Sequence, residues 1–447
     1  MQTKRQTNYP QMSYKKVKLS EICTIEKGTT GITKAVEGIY PMVTMAEART
    51  SHNEYQFDTK AVIIPLVSSS GHGHASMKRI HYQEGKFAIG SILCAVIPKN
   101  EDEVNARFLY NYLHFQRESI LVPLMRGAAN VSLSIKSVSG VEIDLPSINE
   151  QIAINQLVDD FKEKNQILQT ENQTQAKLLQ KLRKAYLQEA VTGLSTADWR
   201  QQNPTQDTGK ALLTEIKKHK AQLIKEGKLR KEKPLNPIKP EEIPFQIPDN
   251  WTWCRLGEVE LFSEYGTSEK ADLNSSNIPV LRMGNVQNMK IDYNNLKYLK
   301  SSITDLPKLY LKGRDLIFNR TNSFELVGKS AVFNGENDTI TFASYLIRIR
   351  FLEFISSDYI NFWINSSDCR KTQIEPNTIQ QNGQANFNGT KLKNILIPLP
   401  PLTEQQAIVS KIEGLLAQVE GLEKENKAQQ VYAQRLMGAV LQEAFGG

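Results

Sequence analysis

The sequence is poor in cysteine. Its 447 residues contain four, Cys23, Cys94, Cys254 and Cys369, and no two of them form a CxxC pair. That isolation argues against a zinc ribbon or a thiol redox motif, and fits a reducing cytoplasm better than a disulfide-bonded secreted fold. Long apolar runs are absent too. Residues 1–10 are polar, so neither a signal-peptide core nor a membrane span is expected there. Charge of one sign is scarce outside a single segment: residues 209–240 hold nine Lys and one Arg against three Glu, which accounts for the whole net charge of +7. Any contact with nucleic acid elsewhere must therefore come from local loops, not from a globally basic surface.

Catalytic motifs are missing as well. Gly328-Lys329-Ser330 has the tail of a P-loop, but Ser323 stands where the earlier glycine is required. His72, His74 and His81 have no carboxylate or cysteine cluster beside them, as a metal site would need. No GxSxG or HExxH occurs. Leu399-Pro400-Pro401-Leu402 lacks the Asn, Asp or Ser and the aromatic residue that flank the prolines in amino-methyltransferases, and no glycine-rich S-adenosylmethionine loop is found. A fused nuclease or methyltransferase is disfavoured on these grounds. A purely structural coiled-coil scaffold is the other alternative, and the polar loops described below argue against it.

What the chain does contain, it contains twice. Residues 143–193 and 397–447 superimpose without a gap at a shift of 254, with Glu150, Gln151 and Ala153 meeting Glu404, Gln405 and Ala407. Leu187-Gln188-Glu189-Ala190 recurs as Leu441-Gln442-Glu443-Ala444. Asn149 and Thr403 are the expected N-caps, and Gly193 and Gly447 the expected terminators. A helix of roughly 40 residues is about 60 Å long, more than a globular core needs. Its seam alternates by three and four: Ile154, Val158, Phe161, Leu168, Leu179, Leu182 and Tyr186, then Ile408, Ile412, Leu415, Val419, Leu422, Leu436 and Val440. Heptad spacing predicts an antiparallel coiled coil about a pseudo-two-fold axis. Four amides, Asn172, Gln175, Asn426 and Gln429, are expected in the seam, where they would set the register. Gly414 and Gly421 interrupt the second helix, and close approach of another backbone would explain them.

The predicted fold is α+β, with two mixed α/β domains joined by two long helices. Residues 1–146 form the first recognition domain, 147–193 the first helix, 194–242 a basic connector, 243–400 the second recognition domain and 401–447 the second helix. Strands are expected near 40–45, 61–67 and 91–98, then near 278–283, 315–319 and 345–350. Helices are expected at 105–116 and 357–365. The connector's charge is that of a solvated face, with contact to phosphates the less usual alternative.

The remaining chemistry suits recognition. In the first domain a loop carries Ser68, Ser69, Ser70, His72 and His74, followed by Lys78 and Arg79, and Arg126 and Asn130 flank Gly127-Ala128-Ala129. In the second domain Arg320, Asn322, Ser323 and Lys329 follow a strand, and Gln380, Gln381, Asn382 and Gln384 cluster around Gly383. Arg forks onto guanine, Asn and Gln onto adenine, while Lys, Ser and Thr hold phosphates. These are the candidate DNA-binding residues.

Leu-Pro-x-x-x-Glu-Gln-x-Ala-Ile at 145–154 and 399–408, the Leu-Gln-Glu-Ala pair, Ile224-Lys225-Glu226-Gly227-Lys228-Leu229, Trp251-Thr252-Trp253-Cys254-Arg255-Leu256-Gly257-Glu258 and Asp315-Leu316-Ile317-Phe318-Asn319-Arg320 resemble the specificity subunits of type I restriction–modification systems. The resemblance implies a non-catalytic chain that binds double-stranded DNA, each domain reading half of a split site, and the unlike contact loops of the two domains argue that this site is asymmetric. It implies partners as well: two methyltransferase subunits docked on the helices, and restriction subunits reached through them. No cofactor is then expected on this chain; S-adenosylmethionine, Mg2+ and ATP would belong to the partners. Leu157, Leu178, Leu416 and Leu441 are candidate docking positions on the outer helix faces, the equal alternative being that they widen the coil's own core.

Overall fold

The computed structural model describes residues 14–31, 35–70, 73–274, 277–303, 306–381 and 383–445, with the backbone alone at Gln381. Two compact units divide the chain: Met1–Gln173 with Lys427–Gly447, and Thr174–Asn426. Among the described residues, no helix is long and apolar enough to cross a membrane.

The first unit is built on an antiparallel sheet ordered Cys23–Lys27, Leu93–Pro98, Ala61–Pro65, His81–Gln83. A second sheet places Tyr40–Val43 parallel to Lys86–Ile89, with Thr50–His52 and Phe57–Asp58 outside them. The strand Ala61–Pro65 is buried throughout because both of its faces are covered. Val62 and Ile64 face a cluster with Phe108, Leu109 and Tyr112 of the helix Ala106–Ile120, whereas Ala61 and Ile63 face Val43, Phe87 and Ile89. That period of two is what a strand between two apolar layers requires. Asn105 caps the helix by accepting from the N–H groups of Arg107 and Phe108.

The second unit repeats this plan. Its sheet runs Glu260–Tyr265, Leu346–Phe351, Leu316–Asn319, Ser330–Val332, and Ile278–Leu281 lies parallel to Thr341–Phe342 in the second sheet. Leu316 and Phe318 face the helix Ser357–Asn365 while Ile317 faces the other layer. The predicted strands and helices thus lie within a few residues of the observed ones. Each unit is also closed by a terminal pair, Lys15–Lys18 with Glu142–Leu145 and Thr252–Arg255 with Leu396–Leu399.

From each terminal pair the chain enters a long helix, Ile148–Thr192 or Leu402–Phe445. Both start earlier than expected, so Asn149 and Thr403 lie inside the first turn and are not caps. In the first unit the cap interaction is instead Glu150 accepting from the Ser147 N–H at 2.8 Å and its hydroxyl at 2.7 Å. Gly193, at φ 78°, does end the first helix; Gly447 lies outside the described residues.

The recurring Gln of the Glu-Gln motif pins each helix to its own unit. Gln151 accepts from the Asn105 N–H at 2.8 Å and donates to the Pro146 carbonyl at 2.9 Å. Gln405 accepts from the Ser356 N–H at 2.9 Å and donates to the Pro400 carbonyl at 3.0 Å. Both side chains are fully buried. A buried amide satisfied at both ends fixes a direction without a desolvation penalty.

The buried stripe of the helices departs from the expected seam by one residue in places. In the second helix the invariant sevenfold positions Ile412, Val419, Asn426, Ala433 and Val440 hold, but the alternate positions are Leu416, Glu423, Gln430 and Met437. Leu422, Gln429 and Leu436 are exposed. The reason is ambiguity by one residue at Leu415-Leu416, where both choices are apolar and the helix buries the later one. In the first helix Gln175 is exposed and Ala176 is half-buried in its stead, whereas the expected Leu179, Leu182 and Tyr186 all remain half-buried, joined by Arg183. Asn172 and Asn426 are therefore buried, whereas Gln175 and Gln429 are not. Within the second unit the two helix segments run antiparallel, with the Asn426 amide donating to Gln175 Oε1 at 2.8 Å and Arg183 meeting Glu423 at 3.1 Å. Two further expectations fail. A Cβ added at Gly414 or Gly421 would meet nothing described within 4 Å, so no backbone approaches them. Leu416 is buried and Leu441 packs on the first unit's core, which leaves only Leu157 and Leu178 of the four docking candidates exposed.

The connector is less free than its charge suggests. Leu212 and Ile216 of the helix Gly209–Lys225 enter the second unit's core. Lys220 donates to the carbonyls of Gly257 at 2.9 Å and Glu260 at 2.7 Å, and Lys217 pairs with Glu258 at 2.7 Å.

Candidate nucleic-acid interface

In the first unit the two candidate loops are joined at one end of the strand Ala61–Pro65. Val67 and Arg126 both bridge to Ser132, and the Ser68 N–H donates to the Val131 carbonyl at 2.9 Å. The loops touch at Gly73, at φ 79°, where a Cβ would lie 2.5 Å from the Ala128 carbonyl oxygen. Only glycine permits that approach.

The serines there hold the loop. Ser68 Oγ donates to the His74 carbonyl at 2.6 Å, Ser70 Oγ donates to the same carbonyl at 3.1 Å, and Ser69 Oγ accepts from the Lys78 N–H at 3.0 Å. Arg126 Nη1 is spent on the carbonyls of Pro123 and Met125. Arg79 pairs with Glu47 at 3.1 Å. His74, Lys78 and Asn130 are exposed, as are Ser69, Ser70 and Arg126; His72 lies outside the described residues. His81 is turned inward against Arg49, and burial together with that guanidinium pushes its pKa down to about 4. Among the described residues, no group of three or more His, Cys, Asp or Glu is placed to hold a metal ion.

In the second unit the same place is built as a small sheet. Thr321–Asn322 pairs with Gln384–Asn386, which pairs in turn with Ile379–Gln381. Gly383 supplies the φ of 75° for the tight turn. Gln380 and Gln384 are exposed, with no side-chain hydrogen bond to another described residue. Asn382 and the Gln381 side chain lie outside the described residues. The Asn319 N–H donates to the Lys329 carbonyl and the Gly328 N–H to the Asn319 carbonyl, each at 2.8 Å, closing the base of the loop that carries Asn322 and Ser323. Asn322 Oδ1 accepts from the Ser323 N–H at 2.8 Å. Arg370 braces this loop by donating to the carbonyls of Phe324 and Val327. Lys329 is half-buried with no carboxylate bonded to it among the described residues, and burial and then Arg370 lower its pKa. Ser330 points inward to Asn361 at 2.8 Å, so the P-loop-like tail belongs to the core.

One participant was not legible in the sequence. Arg320 lies over the ring of Tyr265, 4.9 Å from its centroid, and Tyr265 ends a strand far away in the chain. No spacing signal joins positions 265 and 320.

The family model for the type I restriction modification DNA specificity domain matches residues 12–177 and again residues 248–431. The EcoAI specificity subunit of Escherichia coli is 28% identical over 238 residues, covering 53% of this chain and 39% of that protein. This chain thus spans less than half the length of that relative. The EcoDI specificity subunit of the same organism is 22% identical over 440 residues, covering 98% of this chain and 88% of that protein. A chain solved in work on complex assembly and conformational transition of the type I R-M system shares the fold, with a TM-score of 0.61 at 15% identity over 97% of both chains.

Proposed function

Because the chain belongs to the family of type I restriction modification DNA specificity domains, we propose that it is the DNA-reading subunit of a type I restriction–modification complex. Each recognition domain, 1–146 and 243–400, addresses one half of a split site. The observation that carries this reading is the pairing of one topology with two unlike polar surfaces at the same end of the central strand. A serine-laced loop with His74, Lys78 and Asn130 occupies it in one unit, and an amide hairpin with Arg320 and Lys329 in the other. Two different surfaces call for two different half-sites, hence an asymmetric target.

The helices Ile148–Thr192 and Leu402–Phe445 act as an antiparallel coiled coil that fixes the gap between half-sites. Their sevenfold buried positions and the Gln175–Asn426 bond support that role. Readers on a stiff spacer reach successive major grooves only when their separation suits the helical repeat of about 34 Å. Two methyltransferase subunits dock on the chain, Leu157 and Leu178 being exposed apolar positions available to them, and restriction subunits join through those. S-adenosylmethionine, Mg2+ and ATP act in these partners, in the cytoplasm, and the chain itself catalyses nothing.

The test is to delete seven matched residues from each long helix and map modified adenines in a host that also makes the partner subunits. The spacer length is expected to change while both half-sites persist. Altered half-sites would refute the ruler. Cleavage of DNA or binding of S-adenosylmethionine by the purified chain alone would favour a fused enzyme instead.

A further inference from the structure

The second unit fixes one guanidinium more firmly than a solvent-facing arginine needs. Arg320 is held through its backbone on both sides, its N–H donating to the Tyr345 carbonyl at 3.0 Å and its carbonyl accepting from the Phe387 N–H at 2.8 Å. Its side chain lies on the Tyr265 ring at 4.9 Å, and Nη1 donates to the Ser344 carbonyl at 3.2 Å. Tyr265 is itself fixed, because its hydroxyl accepts from the Gly389 N–H at 2.7 Å. A Cβ at position 389 would sit 2.9 Å from that hydroxyl, so the glycine makes room for it. Nη2 is left with no partner among the described residues.

The fold does not require this pair. Gly28 and Gly266 occupy matching places, each pressed against backbone carbonyls of the neighbouring sheet, so Lys27 stands where Tyr265 does. The Leu133 N–H donates to the Leu66 carbonyl as the Phe387 N–H donates to that of Arg320, so Leu66 stands where Arg320 does. Leu66 is buried in the first unit's core. The same strands form with Lys and Leu at these positions, and the stacked pair is therefore specific to what the second unit reads.

We propose that Arg320, oriented by Tyr265, reads a guanine in the half-site addressed by the second unit. This rests on the DNA-reading function above. A phosphate contact needs only a positive charge within reach, whereas the paired acceptors O6 and N7 of guanine need a guanidinium held in one plane. The stack and the Ser344 bond supply that plane. Tyr265 is a positioning residue, since it acts through Arg320.

The experiment maps modified adenines in cells making the partner subunits with wild-type chain, Arg320→Lys, Tyr265→Ala or Tyr265→Phe. Arg320→Lys keeps the charge and loses the fork. It is expected to lower the preference for guanine at one position of one half-site about ten- to a hundredfold, leaving the other half-site intact. Tyr265→Ala relaxes the same position less, and Tyr265→Phe, which keeps the ring face, restores most of the preference. A map for Arg320→Lys identical to wild type, or a uniform loss across all sites as a phosphate contact gives, overturns the guanine assignment while leaving the DNA-reading function standing. A wild-type map without any bipartite site overturns both.

Discussion

The two copies of the Glu-Gln motif show how one sequence signal serves two different ends. Gln151 and Gln405 do the same work, each clamping a long helix to the cap of its unit's recognition-domain helix. Their neighbours differ. Glu150 is partly exposed and caps its own turn through Ser147. Glu404 is fully buried and accepts from Thr196 at 2.7 Å, Arg200 at 2.5 Å, Asn250 at 2.9 Å and Trp251 at 2.9 Å. One carboxylate thus gathers the start of the connector and the first residues of the second recognition domain onto the second helix. Identical residues in a duplicated motif diverge in role because a different chain segment is available to cover each.

Removing the carboxylates should break that equivalence most sharply. Glu404→Ala strands a guanidinium and an indole N–H and should cost about 3 kcal/mol or more. Glu150→Ala forfeits only a cap and should cost about 1 kcal/mol. Denaturant unfolding of the two variants measures the gap, and equal losses would mean the Glu404 network is slack. Next in size, Gln151→Ala and Gln405→Ala should each cost about 1–3 kcal/mol, and by similar amounts, because each leaves a buried N–H without its acceptor.

Acid separates the units in another way. His81 and His114, both in the first unit, are held near pKa 4, in each case chiefly by burial. Their unfolded values are about 6.5, so the unfolded chain binds more protons between those limits. The first unit should therefore lose stability as pH falls from about 6.5 to 4, and no further below that. In the second unit burial raises the pKa of Glu260, which acts in the opposite direction, favouring the folded state at low pH. Hydrogen exchange at pH 5 and pH 7 should show protection falling more in residues 14–145 than in residues 252–399. Smallest of all, Gly414→Ala should raise stability by about 1 kcal/mol, since helix propensity is gained and no described atom is in the way. A lowered melting temperature would contradict the open space there.

The sequence disclosed the duplication, the strand and helix positions and the loops that meet at the end of the central strand, because periodicity and repetition are local signals. It misplaced the seam by one residue. At Leu415-Leu416 either neighbour could face inward, and only packing decides. The two pairs of seam amides came apart for the same reason, with Asn172 and Asn426 inside and Gln175 and Gln429 outside. Nor could it reveal that the candidate serines brace their own loop, or that Tyr265 underlies Arg320. Those facts depend on contacts between residues distant in the chain, which composition and spacing do not encode.

The central claim is that two units of one topology read two unlike half-sites independently. The most direct measurement is the map of modified adenines in cells carrying the partner subunits with either wild-type chain or Gln380→Ala/Gln384→Ala. Wild type should yield two different half-sites at a fixed gap, and the double substitution should relax only one of them. A contiguous or palindromic site, or changes in both halves at once, would contradict the account.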